Sequence, residues 1–222
     1  MNINEEKRSQ WQALKGMGFK AYWDYFWDYY KIHVIVGVCL IVFFSMLIRD
    51  ITNNKPYALN AVFINANTMN DMEDMENAFA EKEGIDTSET QVFIDAATTI
   101  SLTGTDQYSI PSMEKIYAQV AANELDVMLA DKAVFDNYAN NGMYDDLGKF
   151  FSKEELDALG DRVIYATPEG FDEEIPVGIV MEDNSLLASS ECYALETPIA
   201  GVVISSNHQD TAADFIRYLL EG

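Results

Sequence analysis

The amino-acid sequence predicts an α/β protein: one N-terminal transmembrane helix followed by a single extracellular α/β domain with a mostly parallel sheet. Two observations carry this prediction. Residues 32–48 form a run of seventeen residues without a charged side chain, and beyond residue 57 short apolar runs alternate with stretches of helical periodicity. Strands that alternate with helices of about ten residues are typical of βαβ units, whose parallel strands are covered on both faces. A length of 222 residues allows one such domain with an appendage.

The charge balance of the chain changes at the apolar run. The whole sequence carries 37 acidic and 14 basic residues, a net charge of −23. Residues 1–31 hold five basic and four acidic residues, whereas residues 49–222 hold nine basic and 33 acidic ones. Phosphate binding needs Lys and Arg gathered on one face, so this balance argues against nucleic acid as a partner. The positive-inside rule predicts a cytoplasmic N-terminus and an extracellular domain at the cell membrane.

The apolar run predicts an uncleaved signal-anchor in the lipid bilayer. Seventeen helical residues span roughly 26 Å, and the aromatic residues before them extend the segment towards a hydrocarbon core of about 30 Å. We predict that the membrane-interface residues are Trp23, Tyr25, Trp27, Tyr29, Tyr30, Lys31 and Arg49. The alternatives are a signal peptide, for which no small-residue cleavage site follows the run, and a buried core helix.

The predicted boundaries divide the chain into four parts. Residues 1–24 form a cytoplasmic amphipathic stub, and residues 25–48 form the transmembrane helix with its aromatic belt. Residues 49–56 form a polar linker, and residues 57–222 form the extracellular domain. The stub serves either as an anchor belt or as a docking face for a membrane partner, and its residues do not decide between the two.

Six strands are predicted from short apolar runs bounded by turn residues. They cover 58–64, 91–94, 126–130, 162–166, 175–181 and 199–205. Six helices are predicted between and after them from apolar residues at 3–4 spacing. They run from Met69 to Gly84 and over 112–123, 133–140, 145–151, 153–159 and 211–220.

Polar residues follow the first three predicted strands. Ligands of open α/β sheets bind outside the carboxyl ends of the strands. We therefore predict a ligand-binding site from Asn65 and Asn67 after the first strand, Thr98 and Thr99 after the second, and Asp131 after the third. The alternative is structural, because Asn, Thr and Asp also form turns and cap helices.

Few residues point to catalysis, and we predict neither an enzyme nor a cofactor. His208 is the one histidine after the apolar run, Cys192 is the one cysteine there, and no P-loop, GxSxG, HExxH or CxxC motif occurs. The acidic groups at 71–76 and 172–174 lack the spacing of a Ca²⁺ loop. An extracellular hydrolase that uses two carboxylates is the remaining catalytic alternative.

Three stretches resemble the extracellular solute-binding proteins, the substrate receptors of ABC importers. Residues 121–131 (AANELDVMLAD) are similar to a helix-then-strand passage of that family. Residues 135–147 (FDNYANNGMYDDL) resemble the stretch that follows it, and residues 201–220 resemble the closing strand and helix. The resemblance implies a periplasmic-binding-like lobe that binds a small solute. About 40 residues separate Asp161 from the closing strand, which implies a reduced, membrane-anchored relative with one lobe.

The predicted function follows from these parts together. We expect a bacterial single-pass membrane protein whose external domain binds a small solute or a partner protein, such as a membrane transporter. The alternative is a non-catalytic accessory subunit of a membrane complex that has lost the ligand site. A receptor should have a pocket lined by Asn65, Thr98 and Asp131, whereas an accessory subunit should expose an apolar patch above roughly a few hundred Å².

Overall fold

The computed structural model describes residues 19–53, 55–67, 72–102, 109–168, 173–182, 186–187, 192–193 and 197–221. The chain divides into two compact units, with the boundary between Asn54 and Lys55. The predicted stub lies outside the described residues up to residue 18, and so does the predicted start of the second helix at Met69.

The first unit contains one long helix, α1, over Phe19–Asn53. Among the described residues, Tyr30–Arg49 is the stretch that is long and apolar enough to cross a membrane, and it lies near the N-terminus. A helix of this kind is compatible with a single-pass or signal-anchor protein and also with a signal sequence.

Helix α1 extends beyond the predicted span of 25–48 at both ends. Residues 49–53, which belong to the predicted polar linker, continue this helix. No Pro or Gly interrupts them, and the first residue to oppose the helix is Lys55, which precedes Pro56 and is thereby disfavoured in the helical conformation.

The second unit is built on a six-stranded sheet with the strand order β2-β1-β3-β6-β5-β4. All six predicted strands are present, with shifts at their ends. They are β1 Tyr57–Phe63, β2 Gln91–Asp95, β3 Val127–Ala130, β4 Val163–Ala166, β5 Ile175–Val180 and β6 Ile199–Val202.

The sheet is mixed. Strand β1 pairs in parallel with β2 and with β3, whereas the pairs β3–β6, β5–β6 and β4–β5 are antiparallel. The predicted mostly parallel sheet is therefore confirmed for β1, β2 and β3 and corrected for the remaining pairs. A parallel connection needs a crossover of about a dozen residues, and the segment 167–174 between β4 and β5 is too short for one.

Five helices accompany the sheet in the described residues. They are α2 Glu73–Glu83, α3 Ser109–Ala121, α4 Lys132–Asn140, α5 Lys153–Leu159 and α6 Gln209–Glu221. The predicted helix at 145–151 is only a short 3₁₀ turn, Leu147–Lys149. The Asp146 side chain accepts the N–H of Gly148 at 2.8 Å, and such local side-chain bonds compete with helix formation.

The helices cover both faces of the sheet and give a three-layer α/β/α domain. On one face α2 and α6 meet through Phe79 and Phe215, whose ring centroids are 4.9 Å apart. On the other face α3 and α4 contribute Ile116 and Phe135 to a second apolar cluster. Strand β1 lies between β2 and β3, and its residues from Leu59 to Phe63 are buried.

The chain order positions the site. Helix α2 connects β1 to β2 over one face, and α3 connects β2 to β3 over the other, so that β2 and β3 flank β1. Helix α2 follows β1 on one face and α4 follows β3 on the other, so the connections after these two strands leave in opposite directions. The carboxyl ends of β1 and β3 form a topological switch point, which is where α/β sheets place their ligands.

Candidate functional site

Asn65 joins three strand ends at the switch point. Its side-chain nitrogen donates to Asp131 Oδ2 at 2.6 Å and to the carbonyl oxygen of Ile100 at 2.9 Å. Its Oδ1 accepts the N–H of Ile100 at 2.8 Å, and its own backbone N–H donates to the carbonyl oxygen of Thr98 at 3.0 Å. The backbone of Asn65 is left-handed, with φ of 59°, a conformation that Asn adopts more readily than most residues.

Asp131 begins α4 directly after the buried strand β3. Its Oδ1 accepts the N–H groups of Ala133 and Val134 at 3.0 and 3.1 Å, which is the contact expected of an Asp at a helix N-cap. Its Oδ2 accepts the Asn65 amide. Both carboxylate oxygens of Asp131 therefore have partners within the domain.

The other predicted residues differ in how far they join this cluster. Thr98 is buried, and its hydroxyl donates to Asp95 Oδ2 at 2.8 Å. Thr99 is exposed. Asn67 is also exposed, and its backbone N–H donates to the carbonyl oxygen of Cys192 at 2.6 Å. The structure thus brings Asn65, Thr98 and Asp131 together through hydrogen bonds and leaves the side chains of Thr99 and Asn67 on the surface.

Asp95, the last residue of β2, is a member of the cluster that sequence reasoning missed. Burial raises the pKa of its carboxyl group, but hydrogen bonds from Lys115, Thr98 and the N–H of Ala97 outweigh burial and hold that pKa below its ordinary value. An Asp at a strand end with a Thr three residues later is a turn pattern, and this pattern is the signal that could have identified it.

Tyr193 crosses the carboxyl ends of β1 and β3. Its hydroxyl lies 2.8 Å from the carbonyl oxygen of Ile64 and 3.3 Å from that of Leu129, and donates to this pair of acceptors. Burial raises the pKa of Tyr193 well above its ordinary value, so the hydroxyl keeps its proton. No sequence signal identified this residue, because it lies in a stretch without periodicity and reaches the switch point only through the path of the chain between β5 and β6.

The cluster at the switch point is an internally paired network. The polar groups of Asn65, Asp131, Thr98 and Asp95 bond to one another or to the backbone, as the structural alternative expects of turn and cap residues. Within the part of the chain that the structure describes, no group of three or more His, Cys, Asp or Glu is placed to hold a metal ion. Ligand binding by the five predicted residues stays a prediction.

An open groove lies elsewhere, along the edge strand β2. Its volume is about 630 Å³. Helix α2 and the segment between α2 and β2 both contribute to its lining. The residues that line it are Lys55, Met72, Glu73, Glu76, Asn77, Ala80, Thr87, Thr90, Gln91, Val92, Phe93, Ile94, Ala96 and Ala97.

The outer edge of β2 faces this groove. The N–H of Ile94 donates to Glu76 Oε1 at 2.7 Å, whereas the N–H of Gln91 points the other way and donates to the carbonyl oxygen of Pro56 at 3.0 Å. Because successive residues of a strand alternate in direction, the main-chain groups of Val92 point outward with those of Ile94. The groove was not predicted, because the sequence does not reveal that β2 is an edge strand.

The predicted membrane-interface residues lie on α1. Trp23, Trp27, Tyr30, Lys31 and Arg49 are exposed, and the rings of Trp23 and Trp27 stack with centroids 6.3 Å apart. Tyr25 and Tyr29 belong to the same helix, but their side chains lie outside the described part of the structure. The belt residues therefore occupy one continuous helix together with the apolar stretch.

Comparison of the chain with protein-family models, curated proteins and solved structures finds no match. The resemblance to solute-binding proteins rests on the three sequence stretches described above. What the fold and its contacts define is an architecture: an apolar N-terminal helix followed by a three-layer α/β/α domain with a mixed sheet.

Proposed function

We propose that the chain is a membrane-anchored, non-catalytic binding module whose external α/β domain recognises a partner protein. One observation carries the proposal: the polar side chains at the switch point pair with one another, whereas the groove along β2 is open. The apolar stretch of α1 supports the anchor. Five basic residues precede the uncharged run 32–48, and Arg49 and Lys55 are the only ones within the thirty residues that follow it, which supports a cytoplasmic N-terminus and an extracellular domain.

A small solute is the second candidate ligand. The convergence of Asn65, Thr98 and Asp131 at the switch point favours it, as does the sequence resemblance to solute-binding proteins. A solute site, however, needs donors and acceptors that converge on the ligand. Here a solute would have to break the bond between Asn65 and Asp131 and displace Tyr193, so the contacts favour a partner protein.

The arrangement of Ser206, His208 and Asp126 supports the non-catalytic part of the proposal. The three residues lie together, but the Ser206 hydroxyl donates to Asp126 Oδ1 at 2.6 Å and not to the imidazole of His208. A serine nucleophile needs a hydrogen bond to its base. Ser206 Oγ also accepts the N–H of His208 at 3.0 Å, so the group organises the start of α6.

The proposal is tested with the full chain in lipid nanodiscs. A thermal-shift screen against sugars, amino acids and nucleosides should leave the midpoint unchanged. A solute at 100 times its dissociation constant would stabilise the domain by about 2.7 kcal/mol, a shift of roughly 5–10 °C. A reproducible shift with one solute class that Asn65→Ala abolishes would overturn the proposal in favour of a solute receptor.

A second arm tests for the partner in the cells that make the protein. A photo-crosslinking residue at Asn77, in the wall of the groove, should give an adduct of defined mass with another protein. The same residue at Thr99, which is exposed at the switch point, is the matched control and should give none. Failure of all surface positions of the domain to crosslink would contradict recognition of a partner protein.

A further inference from the structure

We propose that the groove along β2 takes an extended, basic segment of the partner protein, which pairs with β2 as an additional strand of the sheet. This inference rests on the proposed function and names the chemistry of the partner. Three features of the groove carry it: the direction of the strand's main-chain groups, the composition of its lining, and the charge of its wall.

The first feature is the outer side of β2, with which no other strand of the described residues pairs. The strand lies at the end of the sheet, paired with β1 on one side. Its Ile94 N–H points into the groove, and the alternation of the strand places the main-chain groups of Val92 on that side as well. An extended peptide that pairs with such an edge gains affinity from its own main chain, and the five residues of β2 correspond to about 17 Å of peptide.

The second feature is the lining of the groove. Five lining residues are buried and apolar and form its floor: Met72, Ala80, Val92, Ile94 and Ala96. The walls are polar, with Asn77 from α2 and with Thr87 and Thr90 from the loop that precedes β2. An extended segment directs alternate side chains to opposite sides. A segment that alternates apolar and polar residues would therefore place its apolar side chains on the floor.

The third feature is charge. Glu73 and Glu76 stand on the α2 side of the groove, and residues 49–222 carry 33 acidic and nine basic residues. A partner segment with Lys or Arg is attracted to this wall, and an acidic one is repelled.

Glu76 also explains how the groove selects its occupant. Its carboxylate accepts the hydrogen bond of the Ile94 N–H. A peptide carbonyl that replaces it at this N–H releases the carboxylate to face a basic side chain of the segment. A segment without a basic residue would displace the carboxylate and offer it no opposite charge.

The experiment uses the full chain in zwitterionic nanodiscs and a displayed library of random twelve-residue peptides as the probe. The selected peptides should carry Lys or Arg that alternate with apolar residues. Methylation of the backbone nitrogens on one alternate set of peptide residues should abolish binding, whereas methylation of the other set should preserve it, because only one set faces β2.

Two neighbouring substitutions on α2 test the wall. Glu73→Lys should weaken binding of the selected peptides by roughly tenfold, because attraction becomes repulsion. Asp74→Lys is the matched control: it makes the same charge change in the same turn, and Asp74 is exposed and outside the groove lining. It should change affinity by less than about twofold.

Other outcomes overturn the inference. A library that yields no binding peptide, peptides whose affinity Glu73→Lys and Asp74→Lys change equally, or binding that tolerates methylation of either set would each contradict strand addition in this groove. The proposed function has a separate test. Crosslinks to a partner protein from other surfaces of the domain would support the proposed binding module and contradict only its use of the groove. A solute-dependent thermal shift that Asn65→Ala abolishes would contradict both the proposed function and the strand addition.

Discussion

Asn65 provides the sharpest test of how the domain holds its strand ends together. Asn65→Ala removes three side-chain hydrogen bonds, to Asp131 and to both main-chain groups of Ile100. Each bond contributes about 1 kcal/mol, but Asn65 is exposed and water replaces part of the loss, so we expect about 2 kcal/mol from the bonds. Alanine in the left-handed conformation adds about 1 kcal/mol. The free energy of unfolding should therefore fall by about 3 kcal/mol.

A series of variants separates the two contributions. Asn65→Gly loses the same bonds without the left-handed penalty, so it should destabilise the domain by about 2 kcal/mol and unfold at a higher temperature than Asn65→Ala. Asn67→Ala is the matched control: Asn67 is exposed in the same turn, and its hydrogen bond to Cys192 comes from the backbone. The free energy of unfolding of Asn67→Ala should lie within about 0.5 kcal/mol of that of the wild type.

The assay must report on the domain alone. All three tryptophans lie at or before residue 27, so tryptophan fluorescence follows the N-terminal part of the chain and not the domain. Thermal unfolding of the full chain in nanodiscs is therefore measured by the reaction of Cys192, which is buried in the folded domain, with a thiol reagent, in a chain that carries Cys39→Ser. A loss of about 3 kcal/mol corresponds to roughly 6–12 °C for a domain of this size. Equal midpoints for Asn65→Ala and Asn67→Ala would refute the reasoning.

Three further predictions concern stability, each measured by thermal unfolding of the full chain in nanodiscs. Asp95→Asn should lower the free energy of unfolding by about 1–2 kcal/mol at pH 7. Because the pKa of Asp95 is lowered in the folded state, its stabilising contribution is present above its unfolded pKa of about 4 and is lost as the pH falls through the folded pKa. A difference between Asp95→Asn and the wild type that does not change with pH would contradict this assignment. Gly201→Ala should cost about 1–3 kcal/mol, since its Cβ would lie 2.7 Å from the carbonyl oxygen of Val177, and an unchanged midpoint would show that β6 shifts freely. Ser152→Ala removes the capping box with Glu155 at the start of α5 and should cost about 1 kcal/mol, whereas Lys153→Ala beside it should change little.

The sequence predicted those parts of the fold that local patterns determine. The short apolar runs identified β1 and β3 as strands, and the helix cap named as the structural alternative for Asp131 is present at the start of α4. The convergence of Asn65 and Asp131 followed from a general rule, because the carboxyl ends of neighbouring parallel strands meet at one edge.

The features that the sequence did not predict depend on contacts between distant segments. The antiparallel direction of β6 beside β3 is a property of the whole sheet, and so is the edge position of β2 that opens the groove. Tyr193 reaches Ile64 across 129 residues of chain, a separation that no local pattern encodes. The helical state of residues 49–53 follows from their continuity with the long apolar helix and not from a periodic pattern of their own.

Under the proposed membrane anchoring, the contact between Glu76 and Ile94 has a consequence for copies of the protein that share one membrane. Anchored domains move in two dimensions, where they meet one another far more often than they would in free solution. An unguarded edge strand is a template for pairing between copies, which leads to aggregation. The Glu76 carboxylate accepts the hydrogen bond of the Ile94 N–H, and the acidic excess of the domain repels a second copy that approaches the same edge. The same side chain would therefore keep a crowded population of these domains dispersed.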